Sequence, residues 1–251
     1  LDDLAHIKEL QGRPQEAERY FRDALSVREK ALDSNHLDVA KSLYQVAQAC
    51  LVQGDMAGGF LTEMKWGAQP PRSLSTPGSL LPTDIRADRA FKLQEAEKLF
   101  RRSLSIREQV LGLESFAVAQ ALVGLARAYK GLEDYKKAEP LYVRALAIHK
   151  KANNSDTVPV EIAVRGLGEI HLAQRRYDEA EPLFKRSLTI AEGTGGMGLL
   201  FPLKDLARLY REQKRYVEAA HTTSDWWCFT RGSLVRGVRL LSARSKTART
   251  C

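Results

Sequence analysis

One pattern is written twice between residues 120 and 190, and it limits the fold more than any other feature. The first copy reads Leu125-Ala126-Arg127-Ala128-Tyr129, then Tyr135, then Lys137-Ala138-Glu139-Pro140-Leu141-Tyr142. The second reads Leu167-Gly168-Glu169-Ile170-His171, then Tyr177, then Glu179-Ala180-Glu181-Pro182-Leu183-Phe184. Ala126 and Gly168 are 42 residues apart, and so are Ala138 and Ala180. A fixed period of this size is the signature of a stacked array. Within each copy, apolar and small residues recur at helical spacing in two blocks split by a polar turn. Each unit is therefore a hairpin of a helix A and a helix B. A small landmark residue sits where the two helices approach, as at Ala126 against Ala138.

The same landmarks recur along the chain. Ala5 and Ala17 open a first copy, with Phe21 and Ala24 behind them. Gly12 ends its helix A, and Pro14 suits the first turn of its helix B. Ala47 follows Ala5 by 42 residues, with Cys50 in the slot that Tyr129 fills in the first pattern copy. Ala207, Tyr210 and Ala219 mark a fifth copy, after which position 223 is Thr where an aromatic is expected. That predicts a fifth hairpin whose helix B stops after about two turns.

The second copy is interrupted. Its helix B text, Leu93-Gln94-Glu95-Ala96-Glu97-Lys98-Leu99-Phe100, arrives 37 residues late, and removing 55–91 restores the register. That stretch holds Trp66 and four prolines, Pro70, Pro71, Pro77 and Pro82, around a Gly/Ser/Thr-rich centre. It reads as a disordered loop inserted at a hairpin turn. Long loops are tolerated there because closure entropy grows slowly, by ~0.6 kcal/mol per doubling. The organisation expected is hairpin 1 and helix A of hairpin 2 over 1–54, the insertion over 55–91, helix B of hairpin 2 through hairpin 5 over 92–220, and a basic non-repeat tail over 221–251.

These residues resemble the tetratricopeptide repeat, in the 42-residue form found in kinesin light chain and nephrocystin-type proteins. The resemblance implies an all-α, right-handed superhelix of about five helical hairpins, the second interrupted and the fifth truncated. It implies a non-enzymatic adaptor that binds a partner peptide in a concave groove lined by helix A of each repeat. Groove positions lie two, three and six before the small landmark and one, four and five after it. They fall on Lys41, Tyr44, Gln45 and Gln48 in the second helix A, and on Gln120, Val123, Arg127 and Lys130 in the third. In the fourth and fifth they fall on Arg165 and Glu169, and on Lys204, Arg208 and Arg211. Where kinesin light chains carry paired asparagines, this chain has Tyr44-Gln45, Val123-Gly124, Arg165-Gly166 and Lys204-Asp205. The cations of the last three helices point to an acidic peptide. The resemblance also places such a protein in the cytoplasm, at the cytoskeleton or cilium.

Charge and composition bound the alternatives. The net charge is +8, of which residues 221–251 carry +5, six basic residues against Asp225. With Trp226, Trp227 and Phe229, that tail could bind RNA or lie on an anionic membrane. A structural spacer or oligomerisation scaffold using the convex face is the other alternative. Outside the tail, neither nucleic acid nor membrane is an expected partner, and no small-molecule substrate is expected. The three cysteines, Cys50, Cys228 and Cys251, form no C-x-x-C spacing, which points to a reducing compartment without a zinc site. No catalytic, cofactor or metal residues are assigned. His6, His36, His149, His171 and His221 lack metal-ligand spacing, and His171 fills the Tyr slot as a packed ring. Glu16/Glu18, Glu95/Glu97 and Glu179/Glu181 recur with the repeat and read as charged first turns of helix B.

Overall fold

The computed structural model describes residues 1–65, 82–153, 156–194 and 198–230, with side chains apart from 57–65, 82–83 and 224–230. These residues form ten helices and no strand. They pair as hairpins: α1 (Asp2–Leu10) with α2 (Pro14–Ala31), α3 (Leu37–Lys65) with α4 (Pro82–Leu111), and α5 (Phe116–Gly131) with α6 (Tyr135–Lys151). Then α7 (Val158–Ala173) pairs with α8 (Tyr177–Gly193), and α9 (Leu200–Glu212) with α10 (Tyr216–Thr230). The chain divides into two compact units, Leu1–Ala152 and Asn153–Cys251. Among the described residues, no helix is long and apolar enough to cross a membrane.

The hairpin turn is built the same way four times. Seven residues after the landmark, the backbone turns left-handed at Gly12 (φ 70°), Glu133 (63°), Arg175 (60°) and Lys214 (61°). The next amide then donates back to the carbonyl of the Tyr-slot residue: Arg13 to Lys8, Asp134 to Tyr129, Arg176 to His171 and Arg215 to Tyr210, at 2.8–2.9 Å. This bond satisfies a carbonyl that the helix end would otherwise orphan. Pro14 occupies the first turn of α2, where its missing N–H costs nothing. Asp134 caps α6 by accepting from the Lys137 amide, and Ser115 caps α5 by accepting from Val118. The landmarks Ala5, Ala17, Ala47, Ala96, Ala126, Ala138 and Ala180 are all fully buried.

Two expectations need correction. The seventh residue after Ala47 is Gly54, the place for the left-handed turn, yet α3 runs through it to Lys65, and α4 begins at Pro82. Both ends of the 55–91 stretch are therefore helical rather than loop. Residues 55–65 contain no proline to end the helix once the turn is lost, and Pro82 is tolerated at a helix start. The centre, 66–81, lies outside the described residues. Likewise α10 does not stop after two turns but reaches Thr230, with no proline or glycine between 221 and 230 to end it. The tail from 231 onward is outside the described residues.

Candidate interaction surface

In the first unit, α3 and α5 carry eight of the expected groove residues. Lys41 is exposed, while Gln48, Gln120 and Lys130 are half-buried. Tyr44 is drawn into the hairpin interior. Its ring stands edge-on to Phe100, with centroids 5.5 Å apart. The Arg107 guanidinium lies over it at 4.6 Å, and Gln48 donates to its hydroxyl at 2.8 Å. Arg107 is itself buried, which holds its pKa below the usual arginine value, and it donates to the Ala117 carbonyl at 2.7 Å. Gln45 is half-buried, 3.5 Å from the His6 ring. Val123 is 6% exposed, so it packs and offers no open anchor for a ligand. Arg127 reaches across to Asp55 at 2.8 Å.

The second unit carries the expected cations of α7 and α9. Arg165 is half-buried between carboxylates, 3.1 Å from Glu161, 2.5 Å from Glu169 and 3.8 Å from Asp205. Its guanidinium also lies 5.0 Å from the Phe201 ring centre. Glu161 is buried and accepts a second hydrogen bond from Ser187 at 2.7 Å. The charge of Arg165 is thus answered within its own unit. On α9, by contrast, Phe201, Lys204, Arg208 and Arg211 are all exposed. Their spacing of three, four and three residues puts them on one helix face. Arg208 pairs with Glu212 at 3.0 Å, an exposed contact that a competing carboxylate can replace. Phe201 was not among the expected groove residues, although it stands six before Ala207, and its 55% exposure is the signal that adds it.

Glu16 and Glu179 do lie in the first turn of their helices, and the second glutamate of each pair has a further role. In three cases the glutamate one residue after a helix B landmark reaches the Tyr slot of the next helix A. Tyr129 donates to Glu97 at 3.0 Å, and Tyr210 donates to Glu181 at 3.2 Å. Cys50 donates to Glu18 at 3.6 Å and to Glu95 at 3.5 Å. A basic residue four positions on supports each carboxylate: Arg22 on Glu18, Arg101 on Glu97 and Lys185 on Glu181. For these three the signal was present in the sequence as Glu-x-x-x-Arg/Lys after the landmark, whereas Glu139 is followed at that spacing by Val143. His171 sits in the same slot, buried, with Nδ1 3.1 Å from the Glu179 carboxylate of its own hairpin.

Glu18, Cys50 and Glu95 could together offer ligand atoms to a metal, since these lie within 4.8 Å of one another. The surrounding charges argue for a satisfied network instead. Lys92 Nζ lies 2.9 Å from both Glu18 oxygens, and Arg22 bridges Glu18 and Glu95 at 2.6 Å each. Gln53 also donates to Glu18 at 2.6 Å. Burial pushes the Glu18 pKa up, but hydrogen bonds from Lys92 and Arg22 outweigh it and leave the carboxyl below its usual value. Burial pushes the Cys50 thiol up, so it stays protonated and serves as a donor. The positive charge a metal would bring is already supplied by Lys92 and Arg22.

The tetratricopeptide repeat family matches this chain over residues 1–57, 89–151 and 160–222. The gap at 58–88 falls inside the 55–91 stretch. A comparison with curated proteins gave no match. Among solved structures, the chain is similar to the nearly identical TPR-like repeats of a kinesin-light-chain-like protein from Podosopora anserina. Identity is 20%, over 90% of this chain and 91% of that one, with a TM-score of 0.61. A second structure of that protein gives 19%, 97% and 94%, with a TM-score of 0.60. BtubC (BKLC) from P. vanneervenii gives 20% identity over 94% and 92%, with a TM-score of 0.51. At these identities the likeness is one of fold.

Proposed function

The chain belongs to the tetratricopeptide repeat family, and from that premise we propose that it is a non-enzymatic adaptor taking an acidic partner peptide on its helix A surfaces. The family and its fold support the coarser statement, a protein-interaction scaffold. The observation that carries the finer one is the exposed face of α9. Phe201 offers an apolar anchor there, and Lys204, Arg208 and Arg211 line the rest of that face. A mostly basic surface concentrates oppositely charged ligands and speeds their capture. Arginine adds a planar fork that matches a carboxylate. The half-buried Gln48, Gln120 and Lys130 of the first unit are polar groups suited to a peptide backbone. A cytoplasmic setting at the cytoskeleton or cilium goes with the kinesin-light-chain resemblance.

The test is fluorescence anisotropy with an extended acidic peptide bearing one leucine or aromatic anchor. Lys204→Glu with Arg208→Glu should weaken binding at least about tenfold, or ~1.4 kcal/mol, with helicity unchanged. Arg165 is a poorer target, because reversing it would leave Glu161 buried without its cation. Affinity of the parent should fall steeply with salt, since exposed charges are screened beyond ~8 Å at physiological ionic strength. Equal binding by the double variant, with the same salt dependence, refutes the acidic-peptide reading.

A further inference from the structure

Helix α4 shows an acidic face that the repeat does not explain. Its opening stretch, 82–91, precedes the helix B text that starts at Leu93, and the family match leaves 58–88 uncovered. Ile85, Leu93 and Ala96 are buried and take the inward side of the helix. Asp84, Ala87, Asp88 and Phe91 come out on the other side, all exposed, Phe91 by 61%. Two carboxylates and an aromatic ring thus share one face, at the three- and four-residue spacing that sets side chains in a row.

The exposed face of α9 is its counterpart, read in the opposite direction. Along α9 the order is Phe201, then Lys204 three residues on, then Arg208 four further. Backwards along α4 it is Phe91, then Asp88 three residues on, then Asp84 four further. At 1.5 Å per residue, both sets place a ring, a charge about 4.5 Å up the axis and a second charge about 10.5 Å up. An antiparallel pairing therefore sets ring beside ring, Asp88 against Lys204 and Asp84 against Arg208. The small Ala87 permits close approach of the axes. Helix direction favours the same arrangement. Asp84 stands in the first turn of α4 and Arg211 in the last turn of α9, and antiparallel packing brings the positive end of one helix dipole beside the negative end of the other.

We propose that the Asp84–Asp88–Phe91 face of one chain docks antiparallel on the Phe201–Lys204–Arg208 face of a second copy. This pairing rests on the reading of α9 as a surface for acidic partners, and it names the partner. Burial of the two rings supplies the apolar contribution, and the charges fix register and direction. A parallel docking with the rings together would instead set Lys98 opposite Arg208. On Arg208, Asp84 takes the place of Glu212, which holds it at 3.0 Å in an exposed pair.

Sedimentation velocity of the full chain over a range of protein concentrations, with a reductant present, tests this. The parent should associate as concentration rises, and added salt should reverse it. Asp84→Lys with Asp88→Lys should weaken association at least about tenfold, and so should Lys204→Glu with Arg208→Glu. Neither double variant should lose helicity, because all four side chains are exposed. An equimolar mixture of the two should associate again, to within about threefold of the parent, since each reversed face then meets an opposite one on the other chain. A parent that sediments as a single copy at every concentration overturns the proposal. So does association that either pair of reversals leaves intact, or that the mixture fails to recover. The acidic-peptide titration separates the two readings. Asp84→Lys with Asp88→Lys leaves α9 untouched and should bind that peptide at least as tightly as the parent. Peptide binding by a chain that never self-associates overturns this proposal alone, whereas absence of both overturns the surface on α9 as well.

Discussion

Gly124→Ala sets two effects of known size against each other. Gly124 lies in the interior of α5, where alanine is the better helix former by ~0.8–1.0 kcal/mol. On propensity alone the substitution stabilises. The packing opposes it: a Cβ at Gly124 would stand 2.5 Å from Phe100 Cε1 and 2.8 Å from Cδ1 and Cζ. Those contacts fall about 1 Å short of van der Waals distance, so the ring has to move. Phe100 is fully buried, and Tyr44 stands against it with Arg107 beyond. A ring held on both sides cannot yield cheaply, and overpacking of this kind costs ~1–3 kcal/mol. The difference is a net loss of about 1 kcal/mol, or a Tm lower by roughly 3 °C for a chain of this size. Thermal melts followed by circular dichroism measure it, and amide exchange locates it, with faster opening expected in α4 and α5. Adding Phe100→Leu should make the glycine replacement neutral or favourable, so the pair should be less than additive. A Gly124→Ala protein that melts about 3 °C higher than the parent would refute the reasoning and show that the ring gives way freely.

Deletion of 55–91 should leave a folded protein within about 1 kcal/mol of the parent. Its losses are the exposed Asp55–Arg127 pair and the part of α4 around Ile85. The ends to be joined are already close, since a Cβ on Gly54 would lie 2.9 Å from the Leu93 side chain. Loss of the cooperative melt would show that the helical extensions are structural. A third expectation concerns acid. His149 is 1% exposed, edge-on to Phe116, and burial holds its pKa below the ordinary value near 6.5. Folding therefore favours the neutral ring, and the unfolded chain binds more protons in acid. Stability should be complete above about pH 6.5 and fall as the pH drops through the folded-state pKa. His149→Leu should flatten that slope in urea titrations between pH 7 and 5, and an unchanged slope would rule the residue out.

How much was legible in advance follows from which signals are local. The period, the small landmarks at Ala126 and Ala138, and the turn at Gly12 are visible in sequence because they depend on neighbours within one hairpin. The helical ends of the 55–91 stretch were not, because proline and glycine content describes the centre and says little about where a helix stops. Val123 shows the same limit in the candidate surface. Its spacing from Ala126 gives the helix face, but its burial depends on what the adjacent elements bring.

The charges show the division most sharply. Sequence alone determined an all-α array of hairpins, since a 42-residue repeat of apolar and small residues has few other ways to bury itself. It also determined that α7 and α9 would carry cations. Tertiary structure alone decided which cations are spoken for. Asp205 of α9 reaches Arg165 of α7, and Asp55 of α3 is bound to Arg127 of α5, whereas Lys204 stands exposed on α9. The reason is physical. Periodicity fixes the direction in which a side chain leaves its helix, but the pairing of charges on different helices depends on distances that close only when the helices pack.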